Sequence, residues 1–385
     1  MSKLEELIQQ YCPDGVNFRP LGEVCSSIRT GKLNANEKDE DGLYPFFTCD
    51  AEPYRINTYA FDCEAILITG NGSQVGHINY YKGKFNAYQR TYVLSSFIET
   101  VDVFFVLHYF RAYLKEYILV NSKKGSVPYI TLPMLQNFLI PIPPLPVQEE
   151  IVRVLDTFTE LQAELQAELQ KRLQQYNYYR DNLLSFEGRT DVEWKKLGEV
   201  ANVYDGTHQT PSYKDSGIPF ISVENIGDIY SSRKYISKED FDKYKIKPQV
   251  GDVFMTRIGS IGVCAVFDKQ AEIAYYVSLA LIRPNQEYVL PRYLKHIIES
   301  LTGCKELRKR TLVNAVPIKV NKDDIGKIVL PFPSLSEQRK IVDILDRFDT
   351  LTNDLTAGLP AEIEKRKQQY EYYRDELLTF KRITR

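Results

Sequence analysis

Apolar residues recur at three- and four-residue steps through the middle of the chain. Ile151, Leu155, Phe158, Leu161, Leu165, Leu169, Leu173, Tyr176, Tyr179 and Leu183 lie on one stripe. That period predicts a single helix over about 148–186, some ~55–60 Å long at 1.5 Å per residue. A second stripe near the C-terminus carries Ile341, Leu345, Phe348, Leu351, Leu355, Ile363, Tyr370, Tyr373 and Leu377. Gly358 and Pro360 interrupt it and predict a kink or a restart, with Pro360 at a first helical position. Stripes of this length cannot face water, so the pattern predicts that they pack on each other as an antiparallel coiled coil. Leu4, Leu7, Ile8 and Tyr11 mark a short amphipathic N-terminal helix, expected beside the C-terminal helix end. β-like runs Phe61–Thr69 and Val250–Ile258 each stop at glycines. Prolines 141, 143, 144 and 146 precede the first long helix, and prolines 331 and 333 the second, with Ser336 the expected N-cap there.

These elements are two copies of one plan. "VNFRPLGEV" (Val16–Val24) returns as "VEWKKLGEV" (Val192–Val200), and "LITGNGSQVG" (Leu67–Gly76) has a counterpart in "FMTRIGSIG" (Phe254–Gly262). "IPIPPLPVQEEIVRVLDTFTEL" (Ile140–Leu161) returns as "VLPFPSLSEQRKIVDILDRFDTL" (Val329–Leu351). "QQYNYYRDNLLSF" (Gln174–Phe186) returns as "QQYEYYRDELLTF" (Gln368–Phe380). The period is far too long for a solenoid, so it marks a tandem duplication of a globular module followed by a long helix. The fold class expected is α+β, with two mixed modules, two long helices between and after them, and an internal pseudo-two-fold repeat. The expected divisions are 1–15 (a helix closing the scaffold), 16–147 (first module), 148–187 (central helix), 188–336 (second module) and 337–385 (C-terminal helix).

Composition narrows the function by exclusion. No apolar run reaches the ~18 residues of a membrane span, and the N-terminus lacks a signal-peptide core. Six scattered cysteines include no Cys-x-x-Cys pair, which argues against structural zinc and a disulfide framework and for a reducing cytoplasm. The net charge of −2 leaves any anion binding to local patches. The phosphate-binding Gly-x-x-x-x-Gly-Lys loop and His-Glu-x-x-His are absent, and His77, His108, His208 and His296 are far apart. No catalytic or metal site is therefore assigned, and no cofactor.

The "VEWKKLGEV" entry, the Pro-x-Pro-x-Leu-x-x-Gln helix start and "GLPAEIEKRKQQYEYYRDELLTF" (Gly358–Phe380) resemble the specificity subunit of type I restriction–modification systems. The resemblance covers essentially the whole chain. It implies two target-recognition domains, each reading half of a split double-stranded DNA sequence. It also implies conserved helices that dock modification (methyltransferase) subunits, two being expected, and restriction subunits. S-adenosylmethionine and ATP would belong to those partners. One departure stands out. "LQAELQAELQKRLQQY" (Leu161–Tyr176) lacks the Gly-Leu-Pro break of "LTAGLPAEIEKRKQQY" (Leu355–Tyr370) and aligns about four residues shorter. The two docking surfaces are therefore not expected to be fully equivalent. Two other readings compete: a stand-alone nucleic-acid-modifying enzyme, and a coiled-coil adaptor that binds only proteins.

Candidate DNA contacts fall in polar loops after strands. In the first module they are Asn71, Ser73 and Gln74, then Gln89 and Arg90, then Lys123 and Lys124. In the second they are His208, Gln209 and Thr210, then Arg257 and Ser260, then Arg308, Lys309 and Arg310 in the most basic segment, "KELRKRTLVNA". Strong divergence between the modules predicts unlike half-sites. Tyr178, Arg180, Tyr372 and Arg374 leave the apolar stripe and are candidate partner-docking residues.

Overall fold

The computed structural model describes residues 3–122, 128–353 and 357–383. The chain divides into two compact units, Met1–Leu165 with Ile363–Arg385, and Gln166–Glu362. The first unit is built on a six-stranded sheet. Its strands are β2 (Cys25–Thr30), β3 (Tyr44–Phe47), β4 (Tyr54–Ile56), β5 (Phe61–Thr69), β6 (Ile78–Ala87) and β7 (Thr91–Phe97), in the spatial order β2-β7-β5-β6-β3-β4. β5 sits at the centre and buries an unbroken run from Ala65 to Thr69, as a strand covered on both faces must. The helix Val103–Asn121 packs on the sheet through Phe105, Phe110, Leu114 and Ile118. A separate two-stranded antiparallel sheet of β1 (Asn17–Pro20) and β8 (Leu139–Ile142) leads into the long helix.

The second unit repeats this wiring. β9 (Glu193–Lys196) pairs β17 (Val329–Phe332) as β1 pairs β8. β10 (Ala201–Asp205), β16 (Leu279–Pro284), β13 (Val253–Thr256) and β14 (Cys264–Val266) form one sheet. β12 (Tyr235–Ile236), β11 (Ile218–Ile221) and β15 (Ala274–Tyr275) form another. β3 joins β6 in parallel at Asn86 and Ala87, and β11 joins β15 in parallel at Ala274 and Tyr275. The single strand β6 is thus split into β14 and β15 in the second unit. Between them the polar run Asp268-Lys269 loops out, its two amides donating to the Tyr230 hydroxyl at 3.0 Å each.

The central helix runs unbroken from Leu145 to Leu183, starting three residues earlier than its periodicity suggests, with Pro146 in the first turn where no donor is needed. The C-terminal stripe forms two helices, Leu335–Asn353 and Leu359–Leu378, with Pro360 in the first turn of the second. Ser334, not Ser336, caps the earlier one: its hydroxyl accepts from Glu337 N at 3.3 Å. The two stripes meet in both units. In the first, Phe158 stacks on Tyr373 at 5.4 Å and lies 6.4 Å from Tyr370. In the second, Phe348 stacks on Tyr179 at 5.4 Å and lies 6.5 Å from Tyr176. In each unit a phenylalanine of one stripe thus sits against the repeated tyrosines of the other.

Each module is locked to its helix by the same two devices. Gln148 is fully buried; its Nε2 donates to Pro143 O and Thr100 O, and its Oε1 accepts from Asp102 N. Gln338 does the same with Pro333 O, Tyr288 O and Leu290 N. His108 Nε2 lies 2.8 Å from Asp156, and His296 Nε2 lies 2.7 Å from Asp346. The N-terminal helix Lys3–Tyr11 buries Leu4 in the same core as Leu378, and Val16 N donates to Lys381 O at 2.8 Å.

His108 carries a pH consequence. Burial lowers its pKa below the ordinary histidine value, against the pull of Asp156, and its Nδ1 is enclosed without a partner. On acidification the unfolded chain therefore takes up the proton first. The stability that depends on a neutral ring is present above the ordinary histidine pKa, about 6.5, and is lost as pH falls below it. Thermal melts at pH 7.5 and 5.5 should show an acid-dependent loss of the first unit's transition. His108→Gln should reduce that loss. An equal loss in both proteins would exclude His108 as its source.

Candidate nucleic-acid interface

The glycine-containing loop after β5 and the one after β13 close in the same way. Thr69 N donates to His77 O and Gly76 N to Thr69 O; Thr256 N donates to Val263 O and Gly262 N to Thr256 O. Gly72 and Gly76 in one loop, and Gly259 and Gly262 in the other, have φ between +79° and +91°, a region that favours glycine. Each loop is tied to the same two neighbours. Gly70 donates to Arg90 O and accepts from Ile130 N at 2.8 Å each. Arg257 donates to Ser278 O and accepts from Val320 N at 3.0 Å each. In the first unit two separately predicted segments, the loop after β5 and the one carrying Arg90, thus converge.

In the first unit Asn71, Ser73, Gln74, Gln89 and Arg90 form one polar rim. Asn71 Oδ1 accepts from the Cys49 thiol at 3.0 Å, and burial pushes that thiol's pKa up so that it keeps its proton. Ser73, Gln74, Gln89 and Arg90 are exposed. Beside them opens a cleft of about 260 Å³ lined by Thr30, Gly70, Gln89, Arg90, Tyr92 and Tyr129 among others. Lys123 and Lys124 lie outside the described residues. The rim also includes a segment that the sequence reading missed: Gln89 Nε2 donates to Asn34 Oδ1 at 3.1 Å, and Leu33 bridges Tyr88. The repeat itself held the signal. Gly31 and Gly206 follow equivalent strands, and a Cβ at either would collide with backbone carbonyls, of Ala87 in one case and Tyr276 in the other. Asn34 therefore stands in the first unit near where His208 stands in the second.

In the second unit His208, Gln209 and Thr210 lie on an exposed loop, with His208 Nε2 3.7 Å from Asp205. Gln209 and Thr210 line a cavity of about 720 Å³ whose other wall includes Lys243, Tyr244 and Lys245. Ser260 is exposed at the loop tip. Arg257, expected at the surface, is instead buried. It is 6% exposed, its guanidinium pairs with Asp205 and its Nε donates to Val320 O at 3.2 Å. It stands where the first unit has Gly70, and it clamps the end of β10 to the start of the loop after β13.

The three cations of the basic segment differ in exposure and pairing. Arg308 is exposed at the end of the helix Leu301–Arg308, with no ion pair among the described residues. Lys309 is exposed but pairs with Glu306 at 2.5 Å. Arg310 is half-buried, with its Nε enclosed and unpaired, so it belongs to the packing more than to the rim.

The sequence model of a family described as "Type I restriction modification DNA specificity domain" matches residues 13–175 and again 190–365. The chain belongs to the type I restriction–modification specificity family. The two matches coincide with the two copies of the repeat. The EcoR124I/EcoR124II specificity subunit of Escherichia coli is 39% identical over 99% of this chain and 97% of its own. The crystal structure of the type I S subunit from M. genitalium superimposes with a TM-score of 0.59 at 16% identity, covering 96% of this chain and 97% of that one. A chain from a structure on complex assembly and conformational transition of the type I system gives 0.58 at 19% identity, over 95% and 98%. At these identities the two structures speak for the fold.

The helix-borne residues of this specificity chain divide in two. Tyr178 and Tyr372 are 67% and 65% exposed, each edge-on to its neighbouring tyrosine. Arg180 and Arg374 are less available than their spacing suggests: they lie over Tyr176 and Tyr370 and pair with Asp181 and Asp375. The exposed element common to both repeats is therefore an aromatic face. Among the described residues no acid, histidine and cysteine group could hold a metal, and no helix is long and apolar enough to cross a membrane.

Proposed function

We propose that this chain reads a split, asymmetric duplex DNA target, one half-site per unit, and docks methyltransferase and restriction subunits without performing chemistry itself. One observation carries the reading: a single loop frame is built twice with different side chains on it. Asn71-Gly72-Ser73-Gln74 projects from one copy and Ile258-Gly259-Ser260 from the other, on the same backbone hydrogen bonds. A duplicated frame with unlike side chains suits a reader of two unlike sequences. Tyr178 and Tyr372, repeated and exposed, support two similar docking faces for methyltransferase subunits. S-adenosylmethionine and ATP are assigned to the partners.

The test is to express the chain with its methyltransferase subunits and map methylated adenines in the host DNA. A bipartite, non-palindromic motif is expected; a palindromic or undivided motif would sink the reading. The purified chain alone should transfer no methyl group. The unbroken central helix adds a second expectation. Four residues inserted after Leu169 lengthen it by ~6 Å. The mapped gap between half-sites should change while the half-sites stay the same. Altered half-sites with an unaltered gap would count against the helix as a spacer.

A further inference from the structure

The segment after the helix Leu301–Arg308 carries an exposed aliphatic tip. Val316 is 100% exposed, Val313 64%, Leu312 44% and Ile318 40%. This tip is not a loose end. Leu312 N donates to Lys319 O at 2.8 Å, Gly259 N to Ile318 O at 2.9 Å, and Lys319 bridges Ile258. The tip is therefore pinned to the loop that carries Ser260. Exposed cations flank it on both sides in sequence: Arg308 and Lys319 have no ion pair among the described residues.

Clustered aliphatic side chains held in water mark an interaction surface. Valine is stiff at χ1, so a contact made by Val313 or Val316 costs little rotamer freedom. The flanking cations suit a polyanionic partner over a neutral protein face. In duplex DNA the apolar feature at base level is the thymine C5-methyl group, presented in the major groove. We infer that Val313 and Val316 read thymine methyl groups of the second half-site, while Arg308 and Lys319 hold the adjoining phosphates. This rests on the proposed DNA-specificity function and adds to it the residues and the base feature that one half-site uses.

The experiment uses the chain assembled with its methyltransferase subunits and a duplex of the mapped target. Each thymine of the second half-site is replaced in turn by deoxyuridine, which removes only the methyl group. Binding should weaken about three- to tenfold at one or more of these positions, as expected for an apolar base-edge contact. The doubly substituted V313S/V316S chain should bind the thymine duplex more weakly by a similar factor and no longer distinguish thymine from uracil. Equal sensitivity to uracil in both chains, or none in either, overturns the inference and leaves the specificity function standing. Loss of subunit assembly in the variant, with DNA discrimination unchanged, assigns the tip to a protein partner and also overturns it. A complex that fails to bind the mapped duplex at all overturns the specificity reading instead.

Discussion

Gln148→Leu is expected to destabilise the first unit by about 3–5 kcal/mol. Leucine is close in volume and apolar, so packing is nearly conserved. What is lost is the hydrogen bonding: two donations, to Pro143 O at 2.6 Å and Thr100 O at 2.9 Å, and one acceptance, from Asp102 N at 2.9 Å. Leaving a buried polar group unpaired costs about 1–3 kcal/mol, and three such groups are stranded together. A loss of this size is a large fraction of the about 5–15 kcal/mol that holds a domain folded. Gln338→Leu strands Pro333 O, Tyr288 O and Leu290 N in the second unit and should act equally there. Urea unfolding followed by fluorescence and circular dichroism should show one transition weakened by each variant. A change below about 1 kcal/mol would mean that these groups find other partners, so that the glutamine is not the lock.

Lys305→Ala, Arg308→Ala and Lys319→Ala together are expected to weaken duplex binding by the assembled complex about 100-fold near 0.15 M salt. All three side chains are exposed and none has an ion pair among the described residues. Each phosphate contact contributes about −0.9 to the slope of log K against log salt, so the slope should become shallower by up to about 2.7. Binding titrations at four salt concentrations measure both quantities, and size-exclusion chromatography checks that the complex still assembles. An unchanged slope would remove this segment from the interface. Arg310 is left out because its enclosed Nε ties it to the packing, and its loss would confuse folding with binding.

Much of this molecule is legible in its sequence. A helical stripe of some ten apolar residues must be covered, and two such stripes in one chain cover each other, so Phe158 and Phe348 find the repeated tyrosines. The loops after β5 and β13 could be found because glycine is needed where φ turns positive, and the spacing of those glycines survives duplication. The Pro-x-Pro-x-Leu-x-x-Gln helix start was visible as a motif, though its reason was not. Only the fold shows that Gln148 and Gln338 satisfy backbone groups that lie nearly fifty residues upstream.

The tertiary structure alone decided which cations face solvent. Arg257 and Arg308 are the same residue type with similar sequence credentials. One is clamped between Asp205 and Val320 O, the other stands free of ion pairs among the described residues. The equivalence of Gly31 and Gly206 marks the Asn34 segment in the repeat, but its contact with Gln89 is tertiary, because the sheet brings the two together. The physical reason is general: periodicity records which face of an element must leave water, and that is local. Which polar groups pair, and which are left over to meet a ligand, depends on contacts between segments far apart along the chain.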